Sequence, residues 1–159
     1  MNNLIPPRLE SPTARAYKLA LAALTHVFGL EWRNNNIFQA RTGFLRNVTD
    51  ANTPLERETH FMRIILLAEM IWNLQDVNGF DACISQMFDG NQIESVYAEL
   101  EIARLLFAHS HATFEFRKPI SVKASDYDLR ITYPNGALAC ADTKCKFEET
   151  EISLNTLKG

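Results

Sequence analysis

Residues Ser125–Lys146 read SDYDLRITYPNGALACADTKCK, and this stretch decides the fold of the second half of the chain. Asp128-Leu129-Arg130-Ile131-Thr132-Tyr133 alternates in polarity and is rich in β-formers. Pro134-Asn135-Gly136 is a turn signal, because Pro presets φ while Asn and Gly tolerate positive φ. Ala137 to Lys146 continues as a second strand. Folding this hairpin about a three-residue loop sets Tyr133 against Ala137 and, counting back, Asp128 opposite Asp142. Directly opposed residues share a face, with Cβ atoms about 5 Å apart. Lys144, two residues past Asp142, lies on that face too. A two-residue turn would slip the pairing by one and break the opposition. Two carboxylates this close repel by roughly 3–4 kcal/mol at an effective dielectric near 20. A divalent cation between them reverses the sign, and hard cations such as magnesium take carboxylate oxygens.

A charged hairpin face is ordinarily a solvated face, and D-x-K is a common tripeptide, so the weight of the motif depends on what precedes it. Ile93 to Ala108 reads IESVYAELEIARLLFA, with Val96, Leu100, Ala103 and Phe107 at helical spacing. Ile102, Leu105 and Leu106 widen the stripe, and Glu99 and Glu101 sit within it. Ala112 to Arg117 alternates Phe114 and Phe116 with polar residues, as a half-buried strand does. The order is therefore acidic amphipathic helix, strand, Asp-bearing strand, turn, strand with D-x-K.

Over about residues 91–158 this order resembles the PD-(D/E)xK nuclease superfamily, which includes many restriction endonucleases and Holliday-junction resolvases. The resemblance implies a role for each acid. Glu99 stands as the helix acid, Asp128 as the motif Asp, Asp142 as the second metal ligand and Lys144 as the motif lysine. Glu99, Asp128 and Asp142 would then hold Mg²⁺ or Mn²⁺ for phosphodiester hydrolysis, with DNA as the substrate class. The sequence departs from the family pattern in four places. Tyr127 stands where Pro is usual, and Asp126 competes with Asp128. Asp142 replaces the commoner Glu, and Glu101 can serve in place of Glu99. Arg117, Lys118 and Lys123 add positive charge near the hairpin, as a phosphate-binding rim needs. A catalytically inactive, nuclease-like protein-interaction module is the competing expectation.

The fold class that follows is α+β. An all-helical region, 1–90, precedes a partial nuclease-like core, 91–159, made of one helix and a three-stranded antiparallel sheet. The core of the resembled family continues with a full helix and a further strand. Here the sequence stops at Lys158-Gly159, where a helix from Glu148 through Leu154 and Leu157 would be getting under way. The expectation is that further sequence or a second copy of the chain completes the sheet, since a truncated sheet leaves an open edge.

The N-terminal half carries no catalytic constellation. Ser11-Pro12 is an N-cap with Pro at the first helical position. Thr13 to Phe28 follows as a helix with Ala16, Leu19, Ala20, Ala23, Leu24 and Val27 on one stripe, stopped by Gly29. His26 in its last turn is a dipole partner. Asn34-Asn35-Asn36 and Thr42-Gly43 read as loops or short turns. Arg33, Arg41 and Arg46 form either a phosphate-contact strip or a set of solvated arginines paired with surface acids. Thr53-Pro54 with Glu56 opens the longest helix, to about Asp76, with Phe61, Ile64, Ile65, Ala68, Ile71 and Trp72 on its buried side. Phe80 to Phe88 is a shorter helix. His109-Ser110-His111 is a polar turn.

The 159 residues are 47% hydrophobic and 22% charged, an ordinary globular composition. A net charge of −3 supplies no global basic field for nucleic acid, although the proposed ligands contribute to that tally. Cys83, Cys140 and Cys145 match no zinc spacing and suit a reducing compartment. Asn2, Asn3 and Pro6-Pro7 interrupt any apolar leader, and Ile64–Ala68 is far too short to span a bilayer. The expected location is cytoplasmic.

Overall fold

The computed structural model describes residues 11–40, 43–45, 54–109, 111–117 and 127–143. They form an α+β protein whose described elements are helical up to His109 and then build a three-stranded antiparallel sheet. The chain divides into two compact units. One comprises Met1–Asp76 with Phe88–Gly90, the other Val77–Met87 with Asn91–Gly159. The segment Val77–Met87 falls in the sheet-bearing unit.

In the first unit, helix α1 spans Pro12–Phe28. Ser11 caps it, its Oγ accepting the Ala14 N–H at 3.2 Å, and Pro12 stands where a missing N–H costs nothing. Gly29, at φ 89°, ends it. Its buried line is Ala20, Leu24 and Phe28, spaced four apart. Leu19 and Val27, expected on the buried stripe, are exposed, Leu19 at 72%. The apolar stripe is thus narrower than the sequence suggests. A short helix α2, Leu30–Arg33, follows and runs into a π-helical turn, Asn34–Phe38, where the three asparagines read as a loop or short turn. Asn36 Nδ2 donates to the Trp32 carbonyl at 2.9 Å, giving that turn a side-chain tie. Trp32 stacks on Phe28 with centroids 4.2 Å apart.

Helix α3, Pro54–Leu74, packs against α1. Ile64, Leu67, Ala68, Met70, Ile71 and Leu74 are buried, whereas Trp72, expected on this face, is 70% exposed. The seam is closed by a polar pair. Tyr17 Oη lies 3.1 Å from Nε2 of the buried His60, and the Tyr17 ring packs on Phe61 with centroids 4.4 Å apart. His60 is structural, as its position within the helix suggests.

In the second unit, helix α4 spans Phe80–Ser85 and continues as a 3₁₀ turn, Gln86–Phe88, whose last residue is counted with the first unit. Helix α5 spans Ile93–His109. Strands β1 Thr113–Phe116, β2 Leu129–Thr132 and β3 Leu138–Ala141 follow in the order β1-β2-β3. Leu129 and Ile131 alternate with half-exposed Arg130 and Thr132, so one face of β2 is apolar. The hairpin register is the one that a three-residue loop demands. Thr132 pairs with Leu138, Ile131 with Ala139, and the Tyr133 N–H donates to the Ala137 carbonyl at 2.9 Å. Asn135 Oδ1 accepts the Ala137 N–H, and Gly136 takes φ 81°.

The start of α4 is fastened to β1. The Phe116 N–H donates to the Asn78 carbonyl at 2.9 Å, and Asn78 Nδ2 donates to Glu115 Oε2 at 3.0 Å. Gly79, at φ 80°, lies so near β1 that a Cβ there would stand 2.1 Å from the Phe116 carbonyl oxygen. Phe80 then meets the Phe116 ring edge-on at 6.2 Å.

Gly79→Ala therefore meets both a left-handed backbone and a backbone clash, and we expect a loss of about 3 kcal/mol. Gly136→Ala shares the positive φ but meets nothing within 4 Å, so its loss should be about 1–2 kcal/mol. Urea unfolding of the two variants checks the order; equal losses would mean the Gly79 contact is not tight.

Candidate functional site

The site is built where the three strands meet the helices of the second unit. Asp128 precedes β2 and is tied on both sides. Its carbonyl accepts the Arg117 N–H at 2.8 Å, and its own N–H donates to the Ala141 carbonyl at 2.9 Å. Ala141 is also the ladder partner of Leu129. Asp128 and Leu129 thus both stand against one residue of β3, which is a β-bulge. A bulge interrupts strict alternation and re-aims a side chain. The expected direct opposition of Asp128 and Asp142 is replaced by this arrangement, in which Asp128 Oδ2 accepts the Thr143 N–H. The carboxylate fastens the end of β3 while keeping its other oxygen out of that bond.

Glu99 comes from α5. Val96, Leu100 and Ala103 are fully buried at helical spacing, and Glu99 falls on the same stripe, only 8% exposed. Glu101, the alternative helix acid, is exposed. Among the described residues Glu99 and His60 are the buried polar side chains. Burial and then the charge of Asp128 push the Glu99 carboxyl up to about 7, a hydrogen bond from Cys83 lowers it in part, and the charge of Asp142 adds the least. The fields of both aspartates therefore reach the Glu99 carboxyl. Asp128 is half-buried and Asp142 exposed.

Cys83, on α4, carries a buried thiol, and its Sγ donates to Glu99 Oε2 at 3.5 Å. Burial, the charge of Glu99, that hydrogen bond and the charge of Asp128 all push the thiol pKa up, so the thiol keeps its proton. Nothing in the local sequence pattern marks Cys83 for this site. The only signal is that it and Glu99 lie on the buried faces of successive helices.

Lys144, Lys118, Lys123, Asp126, Arg41 and Arg46 lie outside the described residues. Arg117 is described. Its guanidinium meets Glu115 Oε1 at 3.3 Å and lies over the Tyr127 ring, 5.7 Å from the centroid. Arg130 meets the same Glu115 oxygen at 3.5 Å. These two arginines share one carboxylate, which leaves net positive charge on that patch. Arg33 is engaged within its own unit, donating to Thr25 Oγ1 and Asn34 Oδ1.

Among the described residues no three His, Cys, Asp or Glu side chains stand together as a ready cage for a metal ion. Mg²⁺ does not ask for one. It keeps several waters and binds through one or two carboxylates plus substrate phosphate. Glu99, Asp128 and Asp142 are oxygen donors of the kind such an ion takes, but among the described residues they are not gathered around one point.

No family model matches the chain, and neither the curated proteins nor the solved structures contain a match to it. Among the described residues no helix is long and apolar enough to cross a membrane.

The raised Glu99 pKa has a definite sign for stability. Between the ordinary value of 4.5 and the folded value of about 7, the native state holds a proton that the unfolded chain has lost. Stability from this group is therefore present at low pH and lost as pH rises through that window. Without divalent cations, Glu99→Gln should flatten the fall in melting temperature between those limits and be no less stable than the parent at pH 8. A variant that steepens the fall would mean that the charged Glu99 is well accommodated.

Proposed function

We propose that the second unit is the catalytic core of a divalent-metal-dependent nuclease acting on DNA, resembling the restriction endonuclease-like enzymes. The observation that carries this reading is the position of Glu99. A carboxylate buried on α5 under the fields of Asp128 and Asp142 is a net cost to the fold, which a bound cation removes. In this reading Glu99, Asp128 and Asp142 bind Mg²⁺ or Mn²⁺, and Asp128 is oriented by the Thr143 N–H. A cation held there would polarise the scissile phosphate and lower the pKa of a bound water. Lys144, two residues past Asp142, stabilises developing negative charge. Arg117, with Lys118 and Lys123 beyond it, receives the backbone phosphates. The described thiols, Cys83 and Cys140, are both free, which suits the reducing cytoplasm.

A second reading is a catalytically inactive interaction module of the same fold. It is favoured by Ile102, Leu105 and Phe107, which are exposed along the C-terminal half of α5.

Titration of Mg²⁺ or Mn²⁺ against thermal stability separates the two. A cation that binds only the native state stabilises it by about 2.7 kcal/mol at a concentration 100-fold above its Kd. We expect a rise in melting temperature with either ion, abolished in Asp142→Ala, together with Mn²⁺-dependent nicking of plasmid DNA that the same variant loses. A full stability shift retained in Asp142→Ala would remove that residue from the site. A shift without nicking of DNA or RNA favours the inactive module.

A further inference from the structure

The three-stranded sheet has two unlike faces. Phe116, Leu129 and Ile131 are buried on one. On the other, Glu115, Arg130 and Cys140 stand side by side across the strands, and Cys140 is exposed. Charge on this second face is held in place. Glu115 Oε1 meets the Arg117 guanidinium at 3.3 Å and the Arg130 guanidinium at 3.5 Å. Its other oxygen, Oε2, accepts from Asn78 Nδ2 at 3.0 Å, and the Asn78 carbonyl accepts the Phe116 N–H. The carboxylate is thus anchored at the fastened start of α4. Arg117 is steadied a second time by the Tyr127 ring, 5.7 Å from its centroid.

One carboxylate between two guanidiniums leaves one positive charge over. Both arginine side chains stay open to solvent, 37% and 41% exposed. Each reaches Glu115 through Nη1, whereas a guanidinium carries five N–H donors in a planar fork. Exposed ion pairs add little to stability, so holding the fold does not account for a second arginine on the same carboxylate. Two forks held beside each other match an anion with several oxygens, as phosphate is. The chain as a whole carries −3, so a polyanion has to be met by a local patch of this kind.

We propose that Arg117 and Arg130, spaced by Glu115, bind the phosphate backbone of a nucleic-acid strand that crosses the exposed face of the sheet. This deepens the nucleic-acid reading above and rests on it for the class of partner, but it needs neither a cation nor cleavage. Arg130 and Glu115 thereby join the interface from strand positions that the sheet fixes. Glu115 is a positioning residue and touches no phosphate itself.

The test is binding of a fluorescein-labelled DNA duplex to the whole chain in EDTA, followed by anisotropy between about 50 and 200 mM salt. Arg130→Gln should weaken binding about fivefold at the lower salt and flatten the slope of log K against log salt by about one, the mark of one lost phosphate contact. Its melting temperature should stay close to that of the parent. Arg117→Gln should weaken binding and flatten the slope in the same way, so the expectation survives an Arg130 variant that does not fold. Arg130→Lys keeps the charge and should keep the slope. Arg15→Gln removes the same charge from an exposed position on α1 and should change neither affinity nor slope. If Arg130→Gln and Arg117→Gln bind as the parent does, the phosphate pair is overturned. If Arg15→Gln costs as much as Arg130→Gln, net charge alone is being read and the proposal falls. A parent that binds no DNA also overturns it, and the Mn²⁺-dependent nicking assay then decides the fate of the nuclease reading separately, since nicking that persists leaves that reading standing.

Discussion

The second unit is arranged around a carboxyl group that has been taken out of water into the fields of two others. Each of those three facts raises the free energy of the charged form. Burial alone could be relieved by protonation, and repulsion alone by letting the hairpin carboxylates swing into solvent. Here the dry partner is fixed on a helix stripe between Val96 and Leu100, and Asp128 is fixed by backbone bonds to both neighbouring strands. Asp142 is exposed and can turn into solvent, so the strain rests on Glu99, and protonation of its carboxyl relieves it.

Asp128 is the mechanical centre of that arrangement. One residue accepts from β1, donates to β3 and uses its side chain to cap the end of β3. The Asp128 N–H and the ladder position of Leu129 both meet Ala141, so the regular pairing ends there and Asp128 is held by the strands on either side.

Much of this could be read in the amino acids, and the reasons are local. The Pro134-Asn135-Gly136 turn fixes its own length, and the length fixes the register, so the pairing of Ile131 with Ala139 follows from six or seven residues. Ser11-Pro12 and Gly29 delimit α1 for the same reason, since caps act within one turn. What could not be read depended on contacts across the chain. Trp72 belongs by periodicity to the buried side of α3 yet lies exposed, because the packing partner chooses the stripe centred on Ile64, Leu67 and Ile71. The bulge at Asp128 is decided by which carbonyl of β3 its N–H reaches, and no spacing in β2 announces that. Cys83 meets Glu99 across sixteen residues through the placement of two helices on one strand.

The three-residue loop has a further consequence for how this sequence can drift. An insertion or deletion of one residue between Tyr133 and Ala137 would exchange inward and outward positions along the whole hairpin. A change of two would restore the parity but displace one aspartate along its strand by about 7 Å relative to the other. Within the loop Pro134 is free to change, whereas Gly136 is held by its positive φ and Asn135 by its bond to the Ala137 N–H. Descendants of this chain should therefore vary Pro134 more readily than its two neighbours, and the number of loop residues hardly at all.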